Sequence, residues 1–267
     1  MEHLINQIHN KDCLEILRLI PDESVDLVCT DCPYRIISGG VRTEYKDDEC
    51  SGVSGKRDYS KTDPKGVLNR QPIKVKWQKQ GADVSSAVKN GKMFEHNEIK
   101  FSDWLPEIFR VLKKGTHCYI MVNARNLCEL QTEAEKVGFE FQNLLIWSKG
   151  NATPNKYYMQ CAEFILMLSK RPARNINDMG SSTIVNIPNI IGNKKHPTEK
   201  PVKLMEHLIQ NSTNENDIVL EPFAGAGSTL LAAQKLNRRF IGCEIDPVYY
   251  KICIDRLSGE YEKGSLI

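Results

Sequence analysis

Two short stretches of the chain carry residue types that could do chemistry. Asp31-Cys32-Pro33-Tyr34 sets a carboxylate, a backbone carbonyl, a rigid proline and an aromatic ring in succession. Glu221-Pro222-Phe223-Ala224-Gly225-Ala226-Gly227 is a glycine-rich turn that runs into Ser228-Thr229. Each follows an apolar run that reads as a buried strand, 26–30 before the first and 217–220 before the second. Open α/β sheets place ligands where the chain turns sharply at the carboxyl ends of parallel strands. Two such turns predict a cofactor site and a chemistry site side by side on one sheet.

An exocyclic amino group on a nucleobase is a poor nucleophile, because its lone pair is delocalised into the ring. Two acceptors that grip both N–H bonds favour a pyramidal nitrogen with its lone pair directed outward. The Asp31 carboxylate and the Cys32 carbonyl could supply that pair, and Pro33 fixes the turn. Tyr34 offers a face for the base, worth about 1–3 kcal/mol by analogy with stacking on single strands. A duplex base must leave the helix to reach such a pocket. An ordinary Asp-x-Pro turn capped by a buried tyrosine fits the same four residues without chemistry.

The glycines of the second turn let backbone pass close to a ligand, and the helix that follows offers unpaired N–H groups. The third glycine of the dinucleotide fingerprint is missing, which argues against a nicotinamide cofactor. Glu244 ends the next strand, within Ile241-Gly242-Cys243-Glu244-Ile245-Asp246, about 20 positions on, where an acidic residue accepts hydrogen bonds from ribose hydroxyls. Neither half requires a phosphate, so a nucleoside-like cofactor fits.

The elements that must position these turns alternate strand and helix. Strands are expected over 4–9, 26–30, 117–122, 141–147, 163–169, 217–220 and 239–245. Helices are expected over 13–19, 101–112, 124–137, 201–211, 228–236 and 247–257. The strands over 141–147 and 163–169 read as antiparallel neighbours joined by 149–160, and 171–193 reads as irregular. Strands separated by helices imply an α/β fold, a mostly parallel sheet with helices on both faces. Residues 36–100 lack periodicity and are rich in Gly, Lys and Ser, so they read as an insertion or long loop of the kind that is functional or disordered.

At 267 residues, with 40% apolar and 26% charged residues, the chain has the makings of a soluble α/β domain. The first six residues lack a basic-then-apolar pattern, so no signal peptide is expected, and no apolar run is long enough to span a membrane. Nine scattered cysteines fit reduced thiols in a cytosol. Cys29 and Cys32 form a CxxC without a second pair, which disfavours a metal or redox role. Between Lys56 and Lys79 lie eight basic and two acidic residues, a solvated loop or an arm that contacts phosphates.

These pieces together resemble the amino-group DNA methyltransferases that use S-adenosylmethionine. The family carries Asp/Asn/Ser-Pro-Pro-Tyr/Phe as its catalytic motif and Phe-x-Gly-x-Gly as its cofactor motif. The catalytic motif comes first here, as in the permuted β group. Lys11-Asp12-Cys13-Leu14-Glu15 resembles the segment whose aspartate contacts the cofactor adenine. His196-Pro197-Thr198-Glu199-Lys200-Pro201 resembles His-Pro-Thr-x-Lys-Pro, which lies near the methionine end of the cofactor. Trp147-Ser148-Lys149 and Glu163-Phe164-Ile165-Leu166 resemble its paired strands, and the likeness covers 1–34, 101–170 and 194–257. Cys32 stands where the family usually has proline, Asn10-Lys11 where it has glycine, and Glu221 where aspartate is common. The cytosine-carbon enzymes use a cysteine that follows a proline; no Pro-Cys occurs here, which favours direct transfer to nitrogen.

The resemblance implies a circularly permuted, Rossmann-like methyltransferase fold of seven strands. Residues 1–35 with 101–257 would form the catalytic domain, 36–100 a DNA-contacting insertion, and 150–193 a short target-recognition region. Asp31, Cys32, Pro33 and Tyr34 would be catalytic. Asp12, Cys13, Asp31, His196, Thr198, Lys200, Glu221, Phe223, Ala224, Gly225, Gly227, Ser228, Glu244 and Ile245 would hold S-adenosylmethionine, and no metal is expected. Arg57, Arg70, Lys156, Arg171 and Arg174 are candidates for contacts to double-stranded DNA. Asp-led motifs in this group lean toward adenine N6 and Ser-led ones toward cytosine N4, so Asp31 favours adenine. Methylation of RNA or of a glutamine side chain goes with an Asn-led motif, and a DNA-binding relic would not need intact cofactor motifs. A companion restriction endonuclease, a homodimer, and a bacterial or phage origin stay open.

Overall fold

Strand β2 (Val25–Asp31) is buried along all but its last residue, as a strand at the centre of a covered sheet must be. The computed structural model describes residues 1–33, 99–153, 158–192, 194, 196 and 198–259. Tyr34, Arg57, Arg70 and Lys156 lie outside them. From one edge the sheet runs β1 (Gln7–His9), β8 (Arg239–Cys243), β7 (Ile218–Glu221), β2, β3 (Leu112–Val122), β5 (Gln160–Ser169), β4 (Glu140–Thr153) and β6 (Ile184–Asn186). Among the described strands, β5 alone runs against the others.

Residues alternate along the central strands between two cores. Val28, Leu220, Ile241 and Cys118 pack toward α1 (Cys13–Leu17), α2 (Phe101–Val111) and α3 (Leu127–Val137). Leu27, Cys29, Val219, Phe240 and Tyr119 pack toward α4 (Val202–Ser212), α5 (Ser228–Lys235) and α6 (Pro247–Leu257). That period of two puts three helices on each face and gives the expected α/β class.

Among the described residues the sheet has eight strands, one more than the seven expected. The extra one, β6, is three residues long and falls in the stretch read as irregular. The first strand is shorter than 4–9, because Glu2–Leu4 forms a 3-10 turn and Asn6 sits at φ 56. The Lys113-Lys114-Gly115 stop does end α2, but the chain enters β3 at once, with Leu112 beside Val25 and Lys113 Nζ 2.7 Å from Asp26 Oδ1. Strands β4 and β5 extend into the connection expected over 149–160. The helix expected from 124 starts at Leu127, because the Asn123 side chain accepts hydrogen bonds from Arg125 N and Asn126 N and shapes a turn there.

Candidate active site

The connection out of β7 passes through α5 to β8 on one side, and the connection out of β2 leads through α2 to β3 on the other. The junction of β7 and β2 is therefore the switch point of the sheet, where a crevice opens at the carboxyl ends of the strands. The glycine-rich turn leaves β7 there and Asp31-Cys32-Pro33 leaves β2.

The turn after β7 is braced from behind by Glu221. Its carboxylate accepts hydrogen bonds from Thr30 Oγ1 at 2.5 Å, Phe223 N at 3.0 Å and Thr229 Oγ1 at 2.8 Å. The side chain is buried with no cation beside it among the described residues, and burial pushes its pKa up to about 8 against those three bonds. It faces inward and braces the turn, where the expectation had it touch the cofactor. Gly227 takes φ 76, and a Cβ there would lie 2.3 Å from Cys253 Sγ, so only glycine fits. Phe223 meets Trp104 edge-on with ring centroids 5.3 Å apart.

Glu244, at the end of β8, accepts a hydrogen bond from Gly225 N at 2.7 Å and one from Asp246 N at 2.9 Å. Asn10 Nδ2 donates to the carbonyls of Glu244 at 2.8 Å and Ile245 at 3.1 Å, which ties the end of β1 to the end of β8. Asp12 caps α1 by accepting from Leu14 N at 2.7 Å, and Cys13 is buried with its thiol pushed up to about 12 by burial. Ile245, just after Glu244, is 42% exposed. An acidic acceptor, a glycine turn at positive φ and an exposed apolar rim suit an adenosine-like group.

Asp31 is one-fifth exposed at the end of β2. Its Oδ2 accepts a hydrogen bond from Lys200 Nζ at 2.5 Å. Lys200 also lies 3.3 Å from Glu163 Oε2, and Glu163 Oε1 accepts from Lys149 Nζ at 2.8 Å. Burial pushes the Asp31 carboxyl above its usual range, and Lys200 opposes that rise. Burial would also raise Glu163, but Lys200 and Lys149 outweigh it and hold that carboxylate low. Glu163 and Lys149 were known from the sequence only as parts of paired strands; nothing local marked them as neighbours of Asp31.

Cys32 buries its thiol 3.7 Å from Met121 O, and burial raises its pKa well above the ordinary value, which disfavours a nucleophilic thiolate. Cys29 packs in the core on the other face of the sheet, so the two thiols of the CxxC cannot meet.

His196 stacks edge-on with Tyr249 at 4.2 Å, stands 3.6 Å from a Cβ built on Gly225, and receives the N–H of Thr198 on Nδ1 at 3.2 Å. Burial, then the charge of Lys200, lowers its pKa to about 4, so the ring is neutral at physiological pH. Behind it Glu199 pairs with Arg256, whose Nη1 donates to Ser228 Oγ at 2.8 Å. Ser228 and Ala224 are buried in the wall of the turn.

Two of the arginines expected to contact DNA lie away from Asp31. Because β5 runs antiparallel, the chain after Ser169 emerges at the amino ends of the parallel strands. There Arg174 Nη2 donates to Ser212 O at 2.5 Å, and Arg171 Nη2 to Glu140 Oε1 at 2.6 Å. Both arginines sit at the end of the sheet opposite Asp31, so the structure does not bring them to the site.

Residues 25–255 match the N6_N4_Mtase family, DNA methylase. The chain belongs to this family. The methylase is 27% identical over 274 residues to the Type II methyltransferase M2.DpnII of Streptococcus pneumoniae, covering 95% of this chain and 90% of the relative. In fold it is similar to M1.HpyAVI in its SAM complex, at 24% identity and TM-score 0.61 over 94% of this chain and 99% of that one. It is also similar to the PvuII DNA methyltransferase (cytosine-N4-specific), at 16% identity and TM-score 0.63 over 96% and 91%. Among the described residues, no helix of this methylase is long and apolar enough to cross a membrane.

Proposed function

We propose that this DNA methylase transfers the methyl group of S-adenosylmethionine to N6 of an adenine flipped out of duplex DNA. The observation that carries the reading is the Asp31 carboxylate, one-fifth exposed at the end of β2, one strand from the glycine turn that leaves β7. When bound, the cofactor supplies an activated methyl group on a sulfonium. The chain's part is then mainly positioning. Asp31 and the Cys32 carbonyl accept the two N–H bonds of the amino group, Pro33 shapes the turn and Tyr34 stacks on the base. The surplus proton on the methylated nitrogen leaves by way of Asp31 to solvent.

Asp12 and Cys13 would line the adenine end of the cofactor, Glu244 and Ile245 the ribose, and Phe223 to Gly227 with Ser228 the wall between. His196 and Thr198 would close the methionine end. Residues 1–35 with 101–257 would make the catalytic domain, and 36–100, directly after the catalytic motif in sequence, would contact DNA. Within 150–193, the parts at the catalytic end suit target recognition: the β4–β5 hairpin, where Tyr158 and Met159 are exposed, and the residues after β6. Like the Type II enzymes it resembles, it would work in a bacterial cytoplasm beside a restriction endonuclease of matching specificity.

The test is to incubate the purified protein with S-adenosylmethionine and unmethylated genomic DNA and identify the modified nucleosides by mass spectrometry. N6-methyladenine is expected. N4-methylcytosine would keep the site and overturn the base. No modified base, from a protein that binds the cofactor, would overturn DNA as the substrate.

A further inference from the structure

Lys200 stands out among the charged groups of the site, because its ammonium is buried beside Asp31 although 169 residues separate them. Nζ is 2.5 Å from Asp31 Oδ2, 3.3 Å from Glu163 Oε2 and 3.2 Å from Thr198 O. An ammonium carries three protons, and all three of these oxygens lie close enough to attract them. Buried lysines are rare unless paired, and this one lies between two carboxylates. Glu163 is in turn held by Lys149, so charges alternate along Asp31, Lys200, Glu163 and Lys149, drawn from β2, the segment before α4, β5 and β4.

We propose that Lys200 is a positioning residue for the catalytic carboxylate and makes no contact with the cofactor. By holding Oδ2 it fixes the carboxylate plane, leaves Oδ1 to accept the substrate amino group, and keeps Asp31 ionised at the moment of transfer. Glu163 and Lys149 hold Lys200 in place. This inference rests on the proposed methyl transfer and goes beyond it by moving Lys200 from the cofactor to the carboxylate.

The charge arrangement gives a signature that a merely structural lysine would lack. The groups facing Asp31 are Lys200 and Glu163, with Glu221 on the neighbouring strand and Lys149 and Lys194 beyond. Removing the Lys200 charge leaves burial and Glu163 to raise the Asp31 pKa, so the acid limb of the rate profile moves up in pH. Removing the Glu163 charge moves it down. The two substitutions therefore act in opposite directions on one titration.

The experiment measures kcat/KM for methyl transfer to unmethylated genomic DNA between about pH 5 and 9. It compares the unmodified protein, Lys200→Met and Glu163→Gln, with S-adenosylmethionine affinity measured by calorimetry on each. The expected result for Lys200→Met is a loss of about 10²-fold or more near pH 6, an acid limb about one pH unit or more higher, and a cofactor Kd within about twofold of normal. Glu163→Gln should shift the limb the other way, and because it keeps the side-chain shape it still reports if Lys200→Met folds poorly. If Lys200→Met weakens cofactor binding about tenfold or more while the limb stays put, Lys200 is a cofactor ligand and the inference fails. Limbs that move together would also overturn it. Absence of transfer by the unmodified protein would instead overturn the proposed function, and the inference with it.

Discussion

Asp31 and Glu221 are acidic residues at the ends of neighbouring parallel strands, and their surroundings give them different work. Glu221 is 2% exposed, and neutral donors use both of its oxygens. Burial holds its pKa near 8, and its hydrogen bonds join β2, the glycine turn and the first turn of α5. Asp31 is 20% exposed and has an ammonium on one oxygen. Under the proposed function only Asp31 does chemistry, so residue type and strand position alone would not pick it out. A paired cation and an open face distinguish them.

The largest expected effect separates the pair directly. Asp31→Ala should slow methyl transfer by at least about 10³-fold while cofactor affinity stays within about twofold. Glu221→Gln in the same assay should lose less than about tenfold, because the amide keeps the shape of the brace. Equal losses from both would break the comparison. Next in size, Gly227→Ala should destabilise the fold by about 2–4 kcal/mol in urea unfolding, from its positive φ and the overlap with Cys253. Adding Cys253→Ala should recover part of that loss; no recovery would shift the cause to the backbone alone.

The pH dependence of stability comes next. Glu221 titrates near 8 when folded against about 4.5 when unfolded. Between those values the native state holds a proton that the unfolded chain has lost. Its contribution is thus full below the unfolded value and disappears as pH climbs through 8. Glu221→Gln should flatten that decline in unfolding free energy. His196 behaves oppositely: with a folded pKa of about 4, stability should drop as pH falls from about 6.5 toward 4, and His196→Asn should remove that slope. The smallest effect belongs to Arg174→Ala, about 1 kcal/mol for a lost hydrogen bond to Ser212 O, with the salt slope of DNA binding unchanged. Deleting 56–79 should flatten the slope. A flattened slope in Arg174→Ala would return that arginine to the DNA.

Much of the frame was legible because apolar runs, turns and caps are local signals. Helix α6 (Pro247–Leu257) starts and stops where the sequence indicates, with the Asp246 side chain accepting from Val248 N and Tyr249 N ahead of a first-turn proline. Strand β6 was not legible, since Ile184-Val185-Asn186 is too short for a period of two to show. The early start of β3 was hidden by Lys113-Lys114-Gly115, which reads as a helix stop and nothing more. The end of the sheet reached by Arg171 and Arg174 follows from the antiparallel direction of β5, which was read, but the consequence needs a register that only the folded sheet supplies. The pairing of Lys200 with Asp31 leaves no local trace, because it is made between residues brought together by four different segments.

The most direct test of the division between the two carboxylates is made in cells that lack DNA methylation. The unmodified protein, Asp31→Ala and Glu221→Gln are each expressed, and total DNA is digested and read for N6-methyladenine by mass spectrometry. The account predicts the modified base with the unmodified protein and with Glu221→Gln, and none with Asp31→Ala. N6-methyladenine in the Asp31→Ala cells at the unmodified level would contradict it.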